Sequence, residues 1–158
     1  MFVSAADPHY ATFKCQLPTP CTPHFWFQGI ANLTNLASFE LYVPKGIPST
    51  FASFLQEMAR LCEKLKRLKL VVDKPPGRGS CPMPSFATPV IEALTLFHNL
   101  SYLTLYASSI SDTSLMLLLK MRNLRRLKLR TNFPIDLLTI AYLRNAIHEV
   151  VIEKYRPE

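Results

Sequence analysis

Three short runs carry the side chains whose types and spacing suggest chemistry. They are Arg67-Leu-Lys69-Leu-Val71, Tyr102-Leu-Thr104-Leu-Tyr106 and Arg126-Leu-Lys128-Leu-Arg130, with a cation or phenol at seven of the nine alternate positions. Guanidinium, ammonium and phenol groups so arranged make ion pairs, cation–π contacts and hydrogen bonds, which is the chemistry of recognition. Arg and Tyr also dominate binding hot spots. Other runs alternate in the same way and offer Thr12, Lys14 and Gln16, then Ser38, Glu40 and Tyr42, then Glu149, Val151 and Glu153.

Residues suited to bond-breaking chemistry are scattered instead. His9, His24, His98 and His148 lie far apart, and no motif sets a Ser, Cys or carboxylate beside any of them. His98 and His148 fall at or just before strand starts, where a neutral histidine bonding to backbone is expected. Cys15, Cys21, Cys62 and Cys81 form no C-x-x-C pair and no zinc-type cluster, so reduced thiols are expected. Gly77-Arg78-Gly79-Ser80 lacks the lysine and the spacing of a phosphate loop, and neither G-x-S-x-G nor H-E-x-x-H occurs. The expectation is a non-enzyme with no cofactor and no metal.

The chain has 158 residues, 49% of them hydrophobic and only 18% charged, so it folds around a continuous core as one domain spanning residues 1–158. Its formal charge of +7, from 18 Lys+Arg against 11 Asp+Glu, favours a partner with an acidic surface. The first residues hold no apolar run long enough for a signal peptide, and no stretch reaches the length of a membrane span. An intracellular location, cytoplasmic or nuclear, with no membrane association is therefore expected.

What must position the cations is a leucine template, L-x-x-L-x-L. It fits Tyr10-x-x-Phe13-x-Cys15, Leu36-x-x-Phe39-x-Leu41 and Leu65-x-x-Leu68-x-Leu70, then Leu100-x-x-Leu103-x-Leu105, Leu124-x-x-Leu127-x-Leu129 and Ile147-x-x-Val150-x-Ile152. Start-to-start spacings are 26, 29, 35, 24 and 23 residues, and all 18 template positions are apolar. Strands are expected near 10–16, 36–42, 65–71, 100–106, 124–130 and 147–153.

The intervening segments carry helix signals. Thr22 and Pro23 open one, followed by Trp26. Ser49 or Thr50 is expected to cap a second, whose apolar stripe is Phe51, Phe54, Leu55, Met58, Leu61 and Cys62. Thr88-Pro89 repeats the cap-then-proline device ahead of Val90, Ile91, Leu94 and Phe97. Pro134 is expected to do the same ahead of a buried stripe of Leu137, Leu138, Ala141 and Tyr142. The longest unit holds an insertion, 73–85, with four prolines and two glycines, expected as a surface loop.

Strand and helix repeated in this way predict parallel strands joined by right-handed crossovers. The expected fold is an α/β solenoid of about six repeats, with a curved parallel sheet on the concave side and helices on the convex side. Template leucines point into the layer between. The concave face then carries Arg67, Lys69, Tyr102, Tyr106, Arg126, Lys128 and Arg130 as one patch for binding a partner. The sixth strand leaves an edge open for pairing.

The unit Ile110-Ser-Asp112-Thr-Ser-Leu115-Met-Leu-Leu118 followed by Asn123-Leu124-Arg-Arg-Leu127-Lys-Leu129 resembles a leucine-rich repeat. It is closest to the cysteine-containing subclass found in F-box substrate receptors, written I-T-D-x-x-L-x-x-L before L-x-x-L-x-L. Asn132 falls where leucine-rich repeats keep an asparagine that bonds between coils, and Asp73 and Ser108 take the equivalent place in two other units. The resemblance implies a non-catalytic scaffold for protein–protein interaction that recognises a substrate protein for a ubiquitin ligase. Ligase subunits themselves are expected as partners only if the chain is part of a longer one. An inhibitor or regulator of an enzyme gripped in the concavity is the alternative. Nucleic acid is the other use of basic and aromatic residues together, and the chain carries no known nucleic-acid motif.

Overall fold

Apolar residues at every second position give a strand one face to bury, and the template runs supply that alternation five times over. The computed structural model describes residues 2–7, 10–14, 34–43, 50–72, 85–107 and 109–154, with side chains from residue 34 onward except at Ser85. Its main sheet contains β1 (Phe2–Asp7), β2 (Tyr10–Lys14), β3 (Ser38–Val43) and β4 (Arg67–Val72), then β6 (Tyr102–Tyr106), β8 (Arg126–Thr131) and β9 (Glu149–Lys154). Two shorter strands, β5 (Ser85–Phe86) and β7 (Ser109–Ile110), pair in parallel as a second sheet. The helices are α1 (Phe51–Leu61), α2 (Thr88–Leu94), α3 (Asp112–Leu117), which runs on into a 3-10 turn at Leu118–Lys120, and α4 (Leu137–Ala146). Strands of the main sheet lie side by side in chain order, and every pairing from β2 to β9 is parallel. The result is a mixed α/β arrangement built on a parallel sheet.

The register stacks the template leucines directly. Phe39, Leu68, Leu103, Leu127 and Val150 form one rung across five strands, and Leu41, Leu70, Leu105, Leu129 and Ile152 form the next. Up to β8 these side chains are buried in one cluster with Leu55, Met58, Ile91, Leu94 and Leu115 of the helices. Helices therefore cover one face of the sheet. Each main-sheet strand from β3 to β9 begins two residues after the first template residue. Leu36, Leu65, Leu100, Leu124 and Ile147 instead lie buried in the turn that enters the strand.

Those turns repeat in atomic detail. The carbonyls of Ala37, Lys66 and Ser101 each accept two N–H groups from the following unit, at 2.9–3.1 Å. Beside them runs a side-chain ladder. Asn99 Nδ2 donates to the Glu63 carbonyl (2.9 Å), Asn123 Nδ2 donates to the His98 carbonyl (2.7 Å), and Lys64 Nζ donates to Asn35 Oδ1 (2.7 Å). The ladder does not run through Asn132, where it was expected; among the described residues it is made by Asn99 and Asn123. Thr131, next to Asn132, is buried and accepts from the Phe133 N–H at 3.1 Å. Asp73 and Ser108 lie outside the described residues, as does the segment with Thr22, Pro23 and Trp26.

The first unit is displaced. The template aligns Phe13 with Phe39, but the sheet pairs Phe13 with Leu41 and Tyr10 with Ser38. A two-residue slip keeps every side chain on the same face, so alternation alone could not exclude it. The strand β1 was not expected either. It runs antiparallel to β2, with Phe2 opposite Lys14 and Val3 opposite Phe13, and occupies that edge of the sheet. The expected loop 73–85 gives its last residue to β5, while residues 73–84 lie outside the described part.

Three helix starts differ from expectation. Thr50 has α-helical backbone angles and makes no side-chain cap, so the first turn of α1 rests on the packing of Phe51 against Phe54. Thr88 is already the first residue of α2, with Ala87 as cap, and its hydroxyl lies 3.1 Å from that of Ser114 in the next unit. Ser111 caps α3 by accepting from the Ser114 N–H, while Asp112 Oδ1 accepts from the Asp136 N–H at 3.0 Å. Asp136 in turn caps α4 at the Leu138 N–H. The Ser-Asp pair thus links one helix start to the next.

The expected inward stripe of α4 is reversed. Leu137, Leu138, Ala141 and Tyr142 are exposed, whereas Thr139 and Leu143 are buried. Both sets have helical spacing, so periodicity could not choose between them. Replacing Leu103 or Leu127 by Ala is expected to lower unfolding free energy by about 2–5 kcal/mol in urea titrations, since each fills a closed rung. Asn123→Ala is expected to cost about 1 kcal/mol in the same assay, through one unmet carbonyl.

Candidate protein-interaction face

The leucine rungs force the residues between them onto the opposite, uncovered face of the sheet. Three polar rungs result. The first is Ser38–Arg67–Tyr102–Arg126–Glu149, the second Glu40–Lys69–Thr104–Lys128–Val151, and the third Tyr42–Val71–Tyr106–Arg130–Glu153. All seven residues expected to form a patch (Arg67, Lys69, Tyr102, Tyr106, Arg126, Lys128 and Arg130) are brought together here. A shallow groove of about 450 Å³ runs over Arg67, Lys69, Tyr102, Thr104, Arg126 and Lys128.

The electrostatics depart from a bare basic strip. Arg126 pairs with Glu149 (2.9 Å), and Glu153 forks between Lys128 (2.8 Å) and Arg130 (2.6 Å). Lys69 pairs with Glu40 and also reaches the Tyr42 hydroxyl at 3.1 Å. Among the described residues only Arg67, of the five face cations, makes no ion pair. Its guanidinium lies 4.9 Å from the ring centroid of the exposed Tyr102. Tyr106 is held between Arg130 (4.5 Å) and Lys69 (5.7 Å) from its two neighbouring strands. Val71 lies on the same face, between Tyr42 and Tyr106 on its rung, and is buried there.

These pairings move the ionisations. Burial of Lys69 alone would lower its pKa, but hydrogen bonds to Glu40 and Tyr42 outweigh this and raise it. Partial burial and the adjacent Glu40 carboxylate raise that of Tyr42. Hydrogen bonds from Lys128, then Arg130, hold the Glu153 carboxyl below its ordinary value. Four paired cations also leave little of the free positive charge whose counterions nucleic-acid binding would release.

Glu40, Glu149 and Glu153 are the partners that pattern reading left unassigned. Their signal was present in the alignment of units, because Glu40, Glu149 and Glu153 occupy the same template positions as Lys69, Arg126 and Arg130 in the adjoining strands, and only the Glu153–Lys128 contact is diagonal. Elsewhere, His98 and His148 are exposed, and no group of His, Cys, Asp or Glu among the described residues could hold a metal ion. Cys62 is a buried thiol, its pKa pushed up to about 11 by burial, which suits a core residue and not a nucleophile. No helix among the described residues is long and apolar enough to cross a membrane.

No protein-family model and no curated protein matches the chain. Among solved structures the chain is similar to internalin C2 from Listeria monocytogenes, at 19% identity over 78% of this chain, with a TM-score of 0.31. It spans 66% of that protein's length, just short of two thirds. A superposition of that quality carries no argument, and the functional reading rests on the rungs themselves.

Removing the forked carboxylate tests the electrostatic layout. Glu153→Gln is expected to release Lys128 and Arg130 and to raise the salt needed to elute the protein from a heparin column. The lowered pKa has a definite sign: stability from this pairing is present above the ordinary carboxylate value of 4.5 and lost as pH falls through the depressed folded value. A carboxyl NMR titration of Glu153 with a midpoint below 4.5 checks it.

Proposed function

We propose that the chain is a leucine-rich-repeat solenoid and serves as a non-catalytic protein–protein interaction scaffold. Its partner lies on the open, concave face of the sheet. The observation that carries this reading is the rung Arg67–Tyr102–Arg126, where one unpaired guanidinium stacks on an exposed phenol at the middle of a face otherwise neutralised from within. A partner carboxylate would meet Arg67 directly, and a flat apolar or aromatic group would meet Tyr102. Around them Lys69, Tyr106, Lys128 and Arg130 provide a rigid surface, because each side chain is already held by a neighbouring strand.

The repeating turns, the in-register leucine rungs and the asparagine bonds between units support the solenoid part of the reading. The setting in which such a scaffold works is drawn from the likeness of residues 110–129 to the cysteine-containing repeats: presentation of a substrate protein to a ubiquitin ligase. The acidic contact is proposed for Arg67 alone, since the other cations spend their charge on Glu40, Glu149 and Glu153.

Affinity capture from lysate with mass spectrometry tests this, comparing the native chain with an Arg67→Ala/Tyr102→Ala variant of unchanged melting temperature. The native chain is expected to enrich specific proteins that the variant loses by tenfold or more. Identical captured sets would mean that the open face is not the binding surface. Recovery of ligase subunits among the lost proteins supports the ubiquitin setting, and recovery of a single enzyme points to an inhibitor.

A further inference from the structure

The last helix is apolar on two opposite sides. Thr139 and Leu143 turn inward, while Leu137, Leu138 and Tyr142 stand 81, 68 and 55% exposed with Ala141 between them. The other helices do not share this. On α1 the exposed positions are Ser53, Gln56 and Arg60, and on α2 they are Thr88, Pro89 and Glu92. An apolar helix stripe of this width is normally covered by another element or chain. Phe133, just ahead of α4, adds a further exposed aromatic ring.

The sheet ends at the same place. Among the described residues, β9 of the main sheet bonds to β8 alone, which leaves one row of its backbone groups without a described strand partner. Val150 and Ile152 continue the leucine rungs, yet they are only partly buried where Leu127 and Leu129 are fully buried. The helix face and the strand edge are therefore two parts of one uncovered end of the core.

We propose that this end is covered by a second copy of the chain, related by a two-fold axis, with β9 pairing antiparallel to its counterpart and α4 packing antiparallel to its own. Charge selects this occupant. Asp136 stands at the start of α4 and Arg144 in its last turn, and both are exposed. An antiparallel α4 pair sets each Asp136 against the partner copy's arginine, whereas a parallel neighbour would set like charges together. Strand edges are self-complementary in the antiparallel sense, and a two-fold contact of this kind closes after two chains. Glu149 and Glu153 of β9 already sit on Arg126, Lys128 and Arg130, so they bring little repulsion to the seam. The surface is separate from the open face and leaves it free for another partner.

Sedimentation equilibrium on the full chain tests the proposal. The native protein is expected to sediment at twice its 18.0 kDa mass in the micromolar range. Leu138→Glu with Tyr142→Glu is expected to raise the dissociation constant at least a hundredfold, and Arg144→Glu about tenfold, both with unchanged circular dichroism because these side chains are exposed. A native chain that stays monomeric up to hundreds of micromolar overturns the proposal. So does a dimer that survives Leu138→Glu with Tyr142→Glu, or a ladder of larger species, which would mean head-to-tail stacking.

Discussion

Stacking of apolar side chains in register across parallel strands is the constraint on which the rest of the protein depends. Once Leu68, Leu103 and Leu127 share a rung, the residues flanking them have no freedom of face. The turn carbonyls of Ala37, Lys66 and Ser101 then fall at equal intervals, and each accepts the same pair of N–H groups. Helix starts follow suit: Ser111, Asp112 and Asp136 hand hydrogen bonds from one unit to the next. No single bond here is strong. A net hydrogen bond contributes about 1 kcal/mol, while each closed leucine contributes several through burial.

The open face is a consequence of that same register. Residues that alternate with the leucines must project together, and at a strand spacing of about 4.8 Å they lie within reach of each other. Five cations so placed would repel. Glu40, Glu149 and Glu153 relieve this from the flanking strands, and Tyr106 shares its ring between Arg130 and Lys69. Arg67 rests on Tyr102 instead, which is why the centre of the face differs from its flanks. An array that satisfies most of its own charge in this way is held rigid by its own contacts.

Much of this was legible beforehand, and the failures have identifiable causes. All six template matches located strands, because leucine alternation is a strong signal and the stacking honours it. The first match slipped by two, since a two-residue shift costs nothing in alternation. Asn132 was a wrong choice of ladder residue, while Asn99 and Asn123, each directly before a template leucine, make the bonds between units. Thr50 and Thr88 resemble caps by type and position, yet backbone angles at the helix start decide capping, and these are set by what the first turn packs against.

By itself, the sequence determined which residues alternate, how often the pattern recurs, and hence which side chains share a face. Those are properties of spacing along one strand or helix. The tertiary structure alone decided which carboxylate meets which cation, which side of α4 turns inward, and that β1 pairs with β2. Each of these depends on distances between units, where residues far apart in the chain become neighbours and compete for the same partner.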